Sequence, residues 1–316
     1  GTRWRKGGTS KAEPMEGNVT GTQRSLKTST KLHRIAQAAR KYPNEALTTL
    51  SHHLDVELLR EAYRRTRKDG AVGVDGQTAH EYALDLDERL TSLARRAHTG
   101  TYRAPPVRRV YIPKSSGKSL RPIGIPTFED KILQRAVHML LEAVYEQEFL
   151  DCSYGFRPKR SAHQALQTLW DGITRMGGGW VVELDIQSYF DTVVHATLRE
   201  FVQRRVRDGV LVRLMGKWLK AGVIEGGRMF RPEQGTPQGG VISPLLANIY
   251  LHHVLDCWWR DDIIPRTRGE AFMVRFADDA VMVFESRHEA ERFLAVLPKR
   301  FERFGLTLHP EKTRLV

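Results

Sequence analysis

The 316-residue sequence predicts an α+β fold, and three observations support this prediction. Several long segments place apolar residues at helical spacing, and a few short apolar segments have the length and composition of strands. The two kinds follow one another irregularly, without the regular strand–helix–strand alternation of a parallel α/β protein. The hydrophobic content of 41% and charged content of 28% are ordinary for a globular chain with a large core.

The charge of the chain indicates a polyanionic partner. The formal net charge is +13 and the isoelectric point is near 9.9, a balance typical of nucleic-acid-binding domains. Residues 95–122 carry eight Lys or Arg and no acidic residue, with Tyr102 and Tyr111 between them. Aromatic rings among cations suit stacking on a nucleic-acid strand. Composition alone leaves open a solvated surface with a basic tail.

Other classes of protein are disfavoured by composition. The longest apolar runs are about ten residues, too short to span a bilayer, and the first residues show no signal peptide. Cys152 and Cys257 are the only cysteines, so a disulfide framework is excluded and a reducing cytoplasm is expected. No membrane partner is expected.

The first third of the chain predicts a tail and a helical region. Residues 1–30 are basic, rich in Gly, Ser and Thr, and are predicted to be disordered. Residues 31–100 form a helical N-terminal extension, broken by the turn-rich GAVGVDGQT at 70–78. Residues 102–126 alternate apolar and basic residues around Pro and Gly, which predicts a β-hairpin whose strands are joined by SSGK.

The middle of the chain predicts helices around one buried strand. Thr127 and Ser161 are expected to cap two helices, each followed by apolar residues at helical spacing. WVVELDI at 180–186 predicts a buried strand, and two further helices are expected near 195–207 and 210–221.

The last third predicts a helix, a hairpin, another helix and a final strand. Ser243 is expected to cap a helix that runs to about Trp259. MVRFADDAVMVF at 273–284 predicts a β-hairpin around two adjacent aspartates. Ser286 and Glu289 form an expected capping box for a helix that ends near Gly305. The final residues, KTRLV, predict the start of a strand, so we expect a truncated chain.

Acidic residues follow two of the predicted strands. Asp185 lies near the end of the predicted strand at 180–186, directly after its apolar run, and Asp278 and Asp279 lie in the predicted hairpin turn. If the two strands pair, their carboxylates converge, and Mg²⁺ prefers such hard oxygen ligands. For Asp185 alone, a turn or N-cap role is favoured, but two acidic strand ends in a basic chain favour a metal site. The carboxylates of Asp185 and Asp278 are then expected about 4–5 Å apart.

Seven segments together resemble one family. Bacterial group II intron reverse transcriptases (maturases) share similar segments in the same order, and the resemblance covers about residues 55–316. The segments are GAVGVDGQT (70–78), IPKSSGKSLRPIGIPTFEDKILQ (112–134), CSYGFRPKRSAHQAL (152–166), LDIQSYFD (184–191), RPEQGTPQGGVISPLLANIYL (231–251), FADD (276–279) and GLTLHPEKTRLV (305–316).

The resemblance implies the architecture of a right-hand polymerase. Residues 101–180 would form the fingers, and residues 181–316 would form the palm, an antiparallel sheet packed on helices. Finger helices near 195–225 would be interleaved with the palm. The thumb and C-terminal domains of the family are absent from the sequence.

The resemblance also implies a catalytic metal site. Asp185 and Asp278 would ligate two Mg²⁺ ions, with Mn²⁺ as a substitute, the carbonyl of Ile186 would assist, and Asp279 would complete the acidic site. A primer 3′-hydroxyl would attack the α-phosphate of a deoxynucleoside triphosphate between these ions. Phe276 stands where the family has tyrosine, which removes a hydroxyl near the primer end.

Further residues would hold the nucleotide and the template. Lys114 and Arg121 would grip the triphosphate, because an ammonium and a forked guanidinium both suit phosphate. Phe190 would be the steric gate that excludes a 2′-hydroxyl, with Gln238 beside the same nucleotide. Contacts with template or incoming nucleotide would come from Arg108, Arg109 and Arg157.

The implied partners are an RNA template of group II intron type, a DNA or RNA primer and dNTP, in the bacterial cytoplasm; a homodimer is left open. One alternative is a non-catalytic RNA-binding splicing factor that keeps the fold. Another is a related palm polymerase that makes RNA. The pairs His52–His53 and His252–His253, and both cysteines, are expected to be packed or surface residues rather than metal ligands.

Overall fold

A computed structural model describes residues 17–113, 120–230, 234–236 and 239–316, with side chains from residue 27 onward. Helices and two antiparallel-rich sheets follow one another along the chain, which confirms the α+β prediction.

The N-terminal region is helical. Its helices are α1 (Gly17–Lys41), α2 (Val56–Arg65), α3 (Ala79–Ala83) and α4 (Leu86–Thr99). Both α1 and α2 pack on the later helix α5 (Phe128–Tyr145). The prediction of disorder is wrong for residues 17–30, because α1 extends back through them and buries Thr28 on the same face as Ile35 and Ala39. Residues 1–16 lie outside the described part.

The first sheet has the strand order β2–β1–β4–β5. Its strands are β1 (Val107–Pro113), β2 (Leu120–Ile125), β4 (Val223–Glu225) and β5 (Arg228–Phe230). The predicted β1–β2 hairpin is confirmed, with Arg108 opposite Ile125, whereas its connection at 114–119 lies outside the described residues. Strand β4 adds to β1 in parallel, so a distant segment completes this sheet.

Between the sheets, the predicted helix starts are largely confirmed. Thr127 caps α5 by accepting from the Asp130 amide, and Ser161 forms a capping box with Gln164 at α6 (Ala162–Met176). The left-handed Gly177, with φ of 70°, ends α6. The remaining helices here are α7 (Tyr189–Thr192), α8 (His195–Gln203) and α9 (Gly209–Leu219).

The second sheet has the order β6–β7–β3–β8, with every neighbouring pair antiparallel. Its strands are β3 (Trp180–Leu184), β6 (Ala271–Phe276), β7 (Asp279–Phe284) and β8 (Arg314–Leu315). Helix α10 (Ser243–Leu251) precedes the β6–β7 hairpin in the chain, and α11 (Arg287–Glu302) packs on β3, β7 and β8. The strand at 180–186 and the hairpin at 273–284 are thereby confirmed in position.

Two helix starts differ from the prediction. Ser243 is the first residue of α10 rather than its cap, and the helix continues as π-helical turns at His252–Asp256 and Trp259–Ile263. The capping box at α11 is wrong: the Ser286 side chain makes no capping hydrogen bond, and Glu289 pairs instead with Arg292 at 3.0 Å.

One hydrophobic core joins the N-terminal helices, helices α5 and α8–α11, and the second sheet. Leu133, Leu184, Leu246, Met282 and Phe301 all belong to it and are almost fully buried. The first sheet is more exposed, since only the first residue of β1 is buried. The second sheet is therefore the more firmly supported of the two. Among the described residues, every helix is either too short or too polar to span a lipid bilayer.

Candidate active site

The strand register brings the predicted acidic residues to one end of the second sheet. Leu184 at the end of β3 lies opposite Ala280 in the antiparallel strand β7, so Asp185 emerges beside Asp279. The β6–β7 hairpin pairs Phe276 with Asp279 and leaves Ala277 and Asp278 as its two-residue turn.

The hairpin turn has an uncommon backbone conformation. Ala277 has φ of 59°, in the left-handed region that a non-glycine residue adopts at a cost of about 1–2 kcal/mol. The turn also lies against Gly155, where an added Cβ would be 2.2 Å from the Ala277 nitrogen. Only glycine at 155 allows this approach.

Electrostatic coupling shows that the three carboxylates share one location. Burial first, and then repulsion from Asp185, raises the pKa of Asp278. Burial also raises the pKa of Asp279, followed by repulsion from Asp278 and then Asp185. Arg121 opposes both shifts. The expected separation of about 4–5 Å between the Asp185 and Asp278 carboxylates stays a prediction.

The C-terminal segment fixes Asp185. The amide of His309 donates to the Asp185 carbonyl at 2.8 Å, and the Asp185 amide donates to Thr313 Oγ1 at 3.3 Å. Ile186 bridges to Leu308 in antiparallel fashion. Lys312 Nζ lies 3.1 Å from Asp185 Oδ2, a contact that sequence reasoning missed. Lys312 lies in the quoted segment 305–316, but nothing in the spacing predicted its partner.

These residues fit a divalent metal ion. Three carboxylates that repel one another need a positive counter-charge, and their hard oxygens are the ligands that Mg²⁺ prefers. Lys312 supplies only one positive charge, and it does so from a largely exposed side chain.

Two predicted nucleotide-binding residues lie in the described part. Arg121 is exposed on β2 and is close enough to lower the pKa of both Asp278 and Asp279. Phe190 in α7 is half-buried, and its carbonyl accepts from the Thr236 amide at 2.7 Å. The predictions for Lys114 and Gln238 fall outside the described residues.

The residues predicted near primer and template differ in their exposure and in their contacts within the protein. Phe276 is 36% exposed next to the acidic turn. Arg108 donates twice to the Val72 carbonyl, at 3.0 and 2.8 Å, which ties β1 to the N-terminal region. Arg109 lies 4.0 Å from Glu225 in β4. Both arginines thus already have partners in the protein.

Two predictions need correction. Arg157 is buried and donates to Glu146 and to the carbonyls of Leu150 and Ser153, so it holds a loop together rather than contacting template or nucleotide. Tyr102 is 1% exposed and donates to the buried Asp130, so it is no stacking platform. In both cases the contacts that bury the side chain decide its role.

A basic groove was missed by the sequence analysis. It has a volume of about 1340 Å³ and lies between residues 100–106 and helices α8 and α9, with an apolar floor that includes Leu198 and Met215. Four exposed cations line it: Arg103, Arg199, Arg213 and Lys220. Within the described ranges, none of them forms an ion pair, in contrast to most other arginines of the chain.

A second cluster of potential ligands lies in the first π-helical turn and beyond it. The potential ligand atoms of His252, His253 and Cys257 all lie within 4.8 Å of one another, a proximity that the sequence did not indicate. Burial, and then the positive charges of Arg275, Arg260 and Arg157, together lower the pKa of His252 to about 3. The same positive surroundings disfavour a bound cation.

The mixed helix-and-sheet fold and the acidic site suit a nucleic-acid polymerase, and comparison with known proteins gives the family. Residues 112–316 match the family described as reverse transcriptase (RNA-dependent DNA polymerase), and the chain belongs to this family.

Within it, the similar proteins include a group II intron-encoded protein and an intron maturase. The chain is 40% identical over 229 residues to the group II intron-encoded protein LtrA of Lactococcus lactis, covering 71% of this chain and 37% of LtrA. It is 41% identical over 258 residues to protein YkfC of Escherichia coli, covering 72% of this chain and 68% of YkfC. A more distant relative, at 27% identity over 198 residues, is nuclear intron maturase 4 of Arabidopsis thaliana, of which 23% is covered, against 62% of this chain. These similarities confirm the resemblance to group II intron reverse transcriptases and maturases.

Proposed function

We propose that this chain is the fingers and palm of an RNA-dependent DNA polymerase of group II intron type. The observation that carries the proposal is the convergence of Asp185, Asp278 and Asp279 at one end of the second sheet, where burial and repulsion from Asp185 raise the pKa of Asp278, and burial and repulsion from both other aspartates raise the pKa of Asp279. The second sheet would be the palm and the first sheet part of the fingers.

The three aspartates would hold two Mg²⁺ or Mn²⁺ ions, assisted by the Ile186 carbonyl. When bound, such ions supply positive charge for the attacking and leaving oxygens of an in-line phosphoryl transfer. In the reaction the primer 3′-oxygen bonds to the α-phosphorus of a dNTP, the bond from that phosphorus to the β-phosphate oxygen breaks, and pyrophosphate leaves. The protein would contribute by positioning the reacting groups and by stabilising the charge that develops in the transition state.

The nucleotide would lie between the first sheet and the acidic turn. Arg121 is exposed, positively charged and electrostatically coupled to the aspartates, which suits contact with the triphosphate. Lys114 and Gln238 keep the roles that the family resemblance implies. Phe190 would exclude a 2′-hydroxyl. Replacement of Phe190 by Val should therefore increase ribonucleotide incorporation, and equal use of both sugars by the unchanged protein would favour an RNA-making polymerase instead.

An RNA template would use cations that have no carboxylate partner. The four that line the groove between residues 100–106 and α8–α9 meet this condition within the described ranges. Phosphate contacts of this kind make affinity fall steeply with salt. Phe276, Arg108 and Arg109 stay proposed primer or template contacts. A group II intron as the natural template, a bacterial cytoplasmic location and a homodimer are part of the same proposal.

Primer extension on an RNA template with dNTP and Mg²⁺ tests the proposal. The double variant Asp278→Ala/Asp279→Ala should lose roughly 10³-fold or more of the activity, because the charge that stabilises the transition state is no longer held. The matched control is Asp261→Ala/Asp262→Ala, an adjacent aspartate pair that forms surface ion pairs and should extend normally. Undiminished extension by the first variant would refute the assignment.

A non-catalytic maturase is the second candidate, favoured by the similarity to nuclear intron maturase 4 of Arabidopsis thaliana. It predicts RNA binding and assisted splicing that persist when the three aspartates are replaced, together with no extension by the unchanged protein. Splicing and extension measured on the same preparations separate the two functions.

A further inference from the structure

Arg275 in β6 is a fully buried arginine whose five donor positions are all used. Its side chain is 0% exposed. Nε and Nη2 donate to the two oxygens of Asp256, at 2.7 and 2.5 Å. Nη1 donates to Asn248 Oδ1 at 2.9 Å and to the Ala277 carbonyl at 2.7 Å, and Nη2 also donates to Ser153 Oγ at 2.8 Å.

The Ala277 carbonyl connects this network to the acidic turn. Ala277 precedes Asp278 directly, so the bond from Arg275 fixes the orientation of the peptide group that carries Asp278. The left-handed backbone at Ala277 and the repulsion among the carboxylates both work against this orientation. A buried, charge-assisted hydrogen bond is well suited to oppose them.

The side-chain partners of Arg275 come from a helical segment that begins with α10 and from the distant loop after α5. Asp256 lies in the first π-helical turn, Asn248 in α10, and Ser153 in the loop after α5. Asn248 also donates to the Gly155 carbonyl at 2.7 Å, on the same backbone against which the turn packs. The network therefore clamps the turn from two sides.

We propose that Arg275, held by Asp256, is a positioning residue that presets the Ala277–Asp278 turn so that the carboxylates of Asp278 and Asp279 face Asp185 before a metal ion binds. The inference rests on the proposed metal site. It assigns the affinity for the metal partly to a residue that touches neither metal nor substrate. Outer residues that orient metal ligands change metal affinity by about 10–100-fold when they are replaced.

Arginine is required here for its shape rather than for its charge alone. Lysine keeps one positive charge but offers three donors from one atom, and it cannot bind a carboxylate in a fork while also reaching a carbonyl, an amide and a hydroxyl. Replacement of Arg275 by Lys should therefore release the turn while leaving a cation near Asp256.

The test measures metal binding apart from catalysis. Mn²⁺ is titrated into protein without nucleic acid or nucleotide, free Mn²⁺ is followed by its electron paramagnetic resonance signal, and stability is followed by urea unfolding without metal. The control is Arg205→Lys, because Arg205 is also buried, lies 2.8 Å from a carboxylate oxygen of Glu148 and donates to backbone carbonyls, including Tyr42. We expect the Mn²⁺ dissociation constant to rise roughly tenfold or more in Arg275→Lys and to stay unchanged in Arg205→Lys, although both lose stability.

A milder variant keeps the test decisive if Arg275→Lys does not fold. Ser153→Ala removes one acceptor of Arg275 and should weaken Mn²⁺ binding in the same direction, by less. Unchanged Mn²⁺ affinity in the folded Arg275 variant, or equal weakening in Arg205→Lys, would overturn the inference while leaving the metal site intact. Absence of Mn²⁺ binding by the unchanged protein would instead overturn the proposed function.

Discussion

Asp256 and the pair Asp278 and Asp279 lie close together near the second sheet, but the protein compensates their negative charges to very different degrees. The Asp256 carboxylate is fully buried, and both its oxygens accept from Arg275. Asp278 and Asp279 are partly exposed, and their pKa values are raised by burial and by other aspartates. A compensated acid adds to structure, whereas uncompensated acids cost stability and are therefore the ones that indicate function.

The largest expected effect tests this difference through stability. Asp256→Asn should lower the free energy of unfolding by about 3–5 kcal/mol, because it leaves the Arg275 charge buried without its partner. Asp278→Asn should raise the free energy of unfolding of the metal-free protein by about 0.5–2 kcal/mol, because it removes repulsion.

Urea unfolding at pH 7 without divalent ions measures both changes. The raised folded pKa of Asp278 fixes the sign, since its ionisation costs stability as pH rises through that pKa. Changes of the same sign in the two variants would remove the distinction between the two groups.

The acidic residues could be predicted from the sequence, whereas the residues that hold the surrounding backbone in place could not. Asp185 and Asp278 could be found because each follows an apolar strand, and strands of this kind pair. Arg275 could not be found, since it lies within an apolar strand pattern and its partner Ser153 is 122 residues away. Arg157 was assigned to template binding by family resemblance, but its contacts with the loop after α5 were not visible in the sequence.

Helix starts could be predicted where a single capping residue determines where the helix begins. Thr127 and Ser161 cap their helices as expected, because a cap depends only on the next three residues. The prediction for Ser286 was wrong although its pattern is equally good, because Glu289 pairs with Arg292 instead. The start of α1 was missed because this helix packs on α5, a tertiary contact that no local pattern encodes.

Asp130 is an intermediate case between Asp256 and the pair Asp278 and Asp279, because it is buried with hydrogen-bond partners but without a cation. Asp130 is as buried as Asp256, but its hydrogen-bond partners Trp218, Gln134 and Tyr102 are neutral. Burial raises its pKa to about 6. The folded state therefore keeps a proton that the unfolded state, with a pKa of about 3.9, has already lost, and stability falls as pH rises between these values.

Asp130→Asn removes this titration, so the free energy of unfolding of the variant should depend less on pH. The free energy of unfolding of the unchanged protein, minus that of Asp130→Asn, should fall by about 2 kcal/mol from pH 4 to pH 6. Urea unfolding at half-unit pH steps measures the difference, in which the other carboxylates cancel. A constant difference would show that Asp130 is ionised throughout and compensated like Asp256.

The smallest expected effect concerns Lys312, a cation that touches the acidic site. Lys312 lies 3.1 Å from Asp185 and is 61% exposed, so Lys312→Ala should change the free energy of unfolding by less than about 1 kcal/mol. Its charge competes with a divalent ion for the same carboxylate, so its removal should tighten Mn²⁺ binding, by at most about fivefold at low salt and less at high salt. Arg314→Ala is the control, because Arg314 pairs with Glu183 at 3.0 Å and is 62% exposed, yet touches no aspartate of the site. Weaker Mn²⁺ binding in Lys312→Ala would mean that the lysine orients Asp185 rather than competing for it, and the site would then be partly compensated after all.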